Sequence, residues 1–180
     1  MMRSSLCEPI CMNIILSALR LLLLLALAGG AQAANAPKSD PVLLTIDGNI
    51  SKFNRGSGKT FTITASEMAR LSTHSIVTAT DWTPRGAFRG PLLRDLLAKV
   101  GAQGSKAKFY GEDDYNVTIP LADFGKYDVI LAYYWNGKPM TLENYGPLWV
   151  MYPIETMPAA EKSGVFLSKL IWQVNRIEVK

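Results

Sequence analysis

The chain has 180 residues, 48% of them hydrophobic and 19% charged, with 19 Lys and Arg against 15 Asp and Glu for a net charge of +4. The basic residues are scattered, Lys52, Arg55 and Lys59 in one loose group and Arg85, Arg89 and Arg94 in another. That describes a solvated surface, not the dense stripe that nucleic acid requires. A single histidine, His74, excludes a metal centre built from clustered imidazoles, and no G-x-S-x-G, G-x-G-x-x-G or P-loop is present.

From the N-terminus, Ile14 to Ala28 is a Leu-rich apolar run carrying Arg20, and it is followed by Ala31-x-Ala33, a small-residue cleavage pattern. Residues 1–33 therefore read as a secretory signal peptide, complete whether translation starts at Met1 or Met12. A bilayer-crossing helix needs about 20 apolar residues, and no such run follows in the mature chain. Cleavage before Ala34 leaves 147 residues and a net charge of +3, the usual size of one domain. Both cysteines, Cys7 and Cys11, fall within the leader. The expected mature protein, outside the cytoplasm, thus has no disulfide, thiolate ligand or cysteine nucleophile.

Residues 34–41 are small, polar and Pro-containing, as a flexible N-terminus should be. Strand signals then dominate. Val42 to Ile46 is β-rich and stops at Asp47-Gly48-Asn49, and Lys59 to Ile63 alternates polar with apolar. Thr64-x-x-Glu67 is a capping box that opens a short helix from Ala65 to about Leu71. Ser75 to Thr80 reads as a further strand. The clearest helix runs from Pro91 to Val100, with Leu92, Leu93, Leu96, Leu97 and Val100 as one apolar stripe and Gly101 placed to end it.

Beyond it, strands are expected at about Ala107–Tyr110, Tyr115–Ile119 and Val129–Trp135, with one helical turn over Pro120 to Phe124. Asn136-Gly137 is a strong type I′ hairpin signal. Leu148–Tyr152 and Leu170–Val179 complete the set. The reading is one α+β domain over 42–180, mainly β mixed sheets with a few short helices.

Few residues single themselves out for chemistry. His74, between Thr73 and Ser75, reads as a surface or loop histidine, and Glu112-Asp113-Asp114 as a solvated turn that could bind a cation weakly. Asn49-Ile50-Ser51 and Asn116-Val117-Thr118 match glycosylation sequons. Three stretches dense in aromatics and arginine are more unusual: Asp81 to Pro91, Tyr133 to Gly137, and Tyr145 to Pro153. Arg beside Trp or Tyr near a helix N-terminus suits an anionic or flat aromatic ligand.

Taken in order, these stretches resemble the molybdopterin-binding domain of the sulfite oxidase family, particularly its small secreted bacterial members. The motifs that carry the resemblance begin with Leu44-Thr45-Ile46-Asp47-Gly48-Asn49-Ile50 and Trp82, then Phe88-x-Gly90-Pro91-Leu92-Leu93-x-x-Leu96-Leu97. They continue with Tyr115-x-Val117-x-Ile119-Pro120, Val129-Ile130-Leu131-Ala132 and Asn136-Gly137-Lys138-Pro139. Gly146-Pro147-Leu148-x-Val150-x-x-Pro153 and Ile171-Trp172-x-Val174-x-x-Ile177-x-Val179 complete them, so that nearly the whole mature chain is covered.

The resemblance implies a sulfite-oxidase-like fold, a location in the bacterial periplasm and, by analogy, a molybdenum cofactor. It also exposes departures. In the family a cysteine thiolate ahead of that Trp ligates molybdenum, and the matching position here is Thr78. A neutral hydroxyl is a far poorer ligand for such a metal. The arginine expected after Gly-Pro-Leu is Trp149, which removes a charge-assisted contact to an anionic cofactor.

The expected site comprises Thr78, Asp81, Trp82, Arg85, Arg89 and Trp149, with no metal ligand assigned and the cofactor left open. The leading reading is a secreted module that binds a small anionic or planar ligand, or a partner protein, with the cysteine-dependent redox chemistry lost. A molybdopterin-dependent oxidoreductase with a non-cysteine metal sphere is the second reading. A structural subunit docked on a periplasmic or membrane protein is the third.

Overall fold

Apolar residues at every second position build the central sheet. In β1 (Val42–Gly48), Leu44 and Ile46 are fully buried while Thr45 and Asp47 face outward. The computed structural model describes residues 39–55, 58–162 and 164–180. The expected signal peptide, and the N-terminal stretch up to residue 38, lie outside them. Residues Asp40–Lys180 form one unit.

β1 pairs in parallel with β11 (Val174–Val179) and antiparallel with β2 (Phe61–Thr64). β11 pairs antiparallel with β5 (Lys106–Gly111), and β5 with β6 (Asn116–Pro120), giving a five-stranded mixed sheet in the order β2-β1-β11-β5-β6. Four helices are described: α1 (Ala65–Ala69), α2 (Leu93–Lys99), α3 (Leu121–Lys126) and α4 (Gly164–Leu167). None of the described helices is long and apolar enough to cross a membrane.

The capping box at α1 is present: Thr64 Oγ1 accepts the Glu67 N–H at 3.3 Å, and Glu67 Oε2 accepts the Thr64 N–H at 2.9 Å. That backbone bond, ahead of the other contributions, holds the Glu67 carboxyl below its ordinary range. Leu93, Leu96 and Leu97 of α2 are buried, and Gly101 takes the left-handed conformation with φ +63° just past the helix end. The helix starts at Leu93, later than expected, because Leu92 is extended and serves as its N-cap.

A second sheet has the order β3-β4-β8-β9, from β3 (His74–Thr78), β4 (Gly86–Gly90), β8 (Tyr134–Trp135) and β9 (Lys138–Pro139). A third pairs β7 (Ile130–Ala132) with β10 (Trp149–Met151). The expected Val129–Trp135 strand is thus divided at Tyr133. Its backbone still follows the β4 segment throughout: Leu93 N–H donates to Val129 O, Leu131 N–H to Pro91 O and Tyr133 N–H to Arg89 O, each at 2.9 Å. Asn136 and Gly137 both have positive φ, 49° and 78°, as a type I′ hairpin between β8 and β9 requires.

Strand β4 lies where the sequence suggested only a loop. Glycines at both ends hide it from a propensity reading, yet packing demands them. A β-carbon on Gly86 would collide with the Trp135 indole nitrogen, and one on Gly90 with the Leu131 carbonyl oxygen. The last strand is also shorter than expected. Residues 170–173 lie outside β11, and Gln173 takes φ +52° before the strand begins.

Candidate aromatic site

Two strands and a turn decide where the expected site residues go. Thr78 ends β3 on its buried face; it is fully buried, and its hydroxyl donates to the Ala79 carbonyl at 3.2 Å. In β4 the side chains alternate. Phe88 points inward against Trp149, with ring centroids 5.6 Å apart, while Arg89 points to solvent and lies 4.4 Å over the Tyr134 ring. Reading 86–90 as a loop leaves Arg89 free to approach Trp149; strand geometry puts the two on opposite faces. Arg85 is exposed and engaged elsewhere, its Nε donating to both Glu155 oxygens at 3.1 and 3.0 Å.

Asp81 and Trp82 sit on a tight turn organised by Thr80. The Thr80 Oγ1 accepts the N–H groups of Trp82 and Thr83 at 3.1 and 3.0 Å, and its own N–H donates to Thr83 O. Tyr145 Oη adds a bond to the Trp82 carbonyl at 3.3 Å. The turn holds Trp82 at the surface, 37% exposed.

Of the six expected residues, Trp82 and Trp149 meet directly. Trp149 is fully buried, its indole N–H donating to Leu170 O at 2.9 Å. Around it gather Tyr145 at 4.9 Å, Trp172 at 6.0 Å and Trp82 at 6.4 Å between centroids. Tyr145 and Trp172 were not among the expected site residues. In sequence Trp172 belongs to the closing strand, where half of the side chains face the core without further meaning. Tyr145 was part of an aromatic stretch, but nothing local marks its φ of +68°.

Trp82 and Trp172 form a corner, 4.9 Å apart at 68°. They line a cavity of about 280 Å³ together with Asp113, Tyr115, Leu167, Ser168, Leu170 and Ile171. The opposite wall is the turn between β5 and β6, drawn in by the Glu112 N–H donating to Gln173 O at 3.1 Å. Asp113 is exposed on the turn between the two strands, as its sequence suggests, and it also lines this wall. Glu112 and Asp114 are not on that wall.

This arrangement does not fit a molybdopterin cofactor. Such a group needs a soft charged ligand for its metal and cationic donors for its phosphate. At the thiolate position stands a buried hydroxyl already bonded to backbone. Arg85 is neutralised by Glu155, Arg89 faces away, and the one charged side chain lining the cavity is the Asp113 carboxylate. Among the described residues there is no group of three or more His, Cys, Asp or Glu able to hold a metal ion.

Comparison with solved structures finds the sulfane dehydrogenase SoxCD from Paracoccus pantotrophus, with a TM-score of 0.55 and 18% identity. The match covers 76% of this chain and 37% of that one, so this chain spans little more than a third of the SoxCD chain, and the likeness is one of fold. No curated protein matches the sequence. The family described as oxidoreductase molybdopterin binding domain matches residues 42–162, from the start of β1 to the segment before α4. The chain belongs to the oxidoreductase molybdopterin-binding domain family.

Proposed function

We propose that this protein is an exported ligand-binding module on the molybdopterin-binding fold, with the cysteine-dependent redox chemistry lost. Its ligand is a small planar organic molecule, seated in the cavity edged by Trp82 and Trp172. The observation that carries this reading is the state of Thr78: where the family places its metal-ligating thiolate, the chain has a fully buried hydroxyl bonded to its neighbour's carbonyl. The leader-like residues 14–33 support a periplasmic location.

Backbone strain supports a binding role as well. Tyr145 and Gln173 hold positive φ without being glycine, and both adjoin the aromatic cluster. Such residues persist where surrounding structure over-determines them, commonly at ligand sites. The test is elemental analysis with native mass spectrometry on protein exported and purified from a host that makes molybdenum cofactor. The expected result is folded protein without molybdenum and without a pterin-sized added mass. Stoichiometric molybdenum would overturn the reading in favour of an oxidoreductase with a non-cysteine metal sphere.

A further inference from the structure

We infer that the cavity between Trp82, Trp172 and the β5–β6 turn selects a small organic cation, a flat apolar body that carries an alkylated ammonium group. This deepens the ligand-binding reading above and rests on it. The electrostatics of the lining point one way. Leu167, Leu170 and Ile171 form an apolar floor, the last two buried, and two indoles and the Tyr115 ring add aromatic surface. The face of an aromatic ring attracts a cation through the ring quadrupole and repels an anion.

Asp113 is the one charged side chain in the lining, and it enters none of the ion pairs formed among the described residues. Its Oδ1 accepts the Tyr115 N–H at 3.1 Å, which fixes the carboxylate at the rim. Ser168 offers little to an anion, because its hydroxyl already donates to Val165 O at 2.7 Å. An anion entering here would lose its hydration and meet a carboxylate. An alkylammonium, weakly hydrated, would gain aromatic contact and a counter-charge.

Contacts from outside the cavity hold three of its sides. The Thr80 turn fixes Trp82, the Gln173 carbonyl fixes the β5–β6 turn, and Trp149 backs Trp172. A preformed cavity lowers the cost of ordering a ligand. Its exposed rings, Trp82 and Tyr115 (50% exposed), are the kind of apolar surface that marks an interaction site.

The test titrates the purified exported protein with benzyltrimethylammonium, benzyl alcohol and benzenesulfonate, following the indole N–H resonances of Trp82 and Trp172 by NMR. The cation should shift both indoles and bind about tenfold more tightly than either comparator. Asp113→Asn should weaken the cation about threefold and leave benzyl alcohol unchanged. Trp82→Leu, which keeps the Thr80 turn, should abolish the preference while the fold persists by circular dichroism.

Equal binding of cation and neutral probe, with no effect of Asp113→Asn, would overturn the charge assignment and leave the ligand-binding reading standing. Tighter binding of benzenesulfonate would overturn it in favour of an anion. No shift of either indole by any probe would remove the cavity as a site. Molybdenum in the same sample would sink the parent reading separately.

Discussion

Glu155 takes the Arg85 Nε–H between its two carboxylate oxygens, at 3.1 and 3.0 Å, and its Oε1 also accepts the Ala79 N–H at 3.2 Å. One exposed carboxylate, in the short 3-10 turn Ile154–Thr156, thereby neutralises an arginine and pins the chain just past Thr78. Glu155→Gln keeps an acceptor for Ala79 but releases the Arg85 charge. Because both side chains are well exposed, the loss of stability should be small, about 0.2–1 kcal/mol. Urea unfolding should show it at low salt, and the difference should shrink in 1 M NaCl, where the Debye length falls to about 3 Å.

Restoring the family's cysteine should not restore its metal. In a Thr78→Cys variant the thiol would lie at a fully buried position, with Arg85 still paired to Glu155 and Arg89 still on the far face of β4. Metal analysis of the variant, exported from a host that makes molybdenum cofactor, should find no more molybdenum than in the wild type. A stoichiometric gain would mean that the missing thiolate alone keeps this chain from holding molybdenum.

Two glycine substitutions should move stability in opposite directions. Gly90→Ala forces a β-carbon into the Leu131 carbonyl, a backbone atom that cannot swing aside, so the β4–β7 contact must open. Overpacking of this kind costs about 1–3 kcal/mol. Gly125 lies in α3 with nothing within 4 Å of an added β-carbon, and Gly125→Ala should stabilise by about 0.5–1 kcal/mol. Thermal or urea unfolding of the pair would check both signs.

Tyr152 predicts an alkaline limit. It is fully buried, and its hydroxyl donates to Asp123 Oδ2 at 3.1 Å, the same oxygen that accepts Lys169 Nζ at 2.7 Å. Burial, reinforced by the Asp123 charge, pushes its phenol far above the ordinary value of 10.0. Above about pH 10 the unfolded chain sheds this proton while the folded chain keeps it. The folded state then binds more protons, so stability falls as pH rises further. Tyr152→Phe should cost about 1 kcal/mol at neutral pH through the lost bond and flatten the decline between pH 10 and 11. An unchanged alkaline slope would assign it to another group.

Periodicity and turn chemistry are local, and what they control was legible in the chain. Alternation in 42–48, the Thr64–Glu67 box, the leucine stripe of α2 and the Asn136-Gly137 turn all sit where their residues place them. Each depends on contacts within a few residues. The ordered motifs likewise pointed to the family, because they sample the whole domain. Strand β4 was not legible, since its glycines answer to Trp135 and Leu131, more than forty residues away in sequence.

The site followed the same division. Sequence supplied the residue types, including the threonine where a cysteine was expected and the tryptophan where an arginine was. Which of them share a space was settled by how the strands and turns pack. Alternation along β4 sends Phe88 inward and Arg89 outward, Glu155 reaches back to Arg85, and positive φ at Tyr145 and Gln173 accompanies the gathering of Tyr145 and Trp172 around Trp149. A side chain's neighbours across the fold depend on strand faces and on turns formed far away, which residue identity alone does not encode.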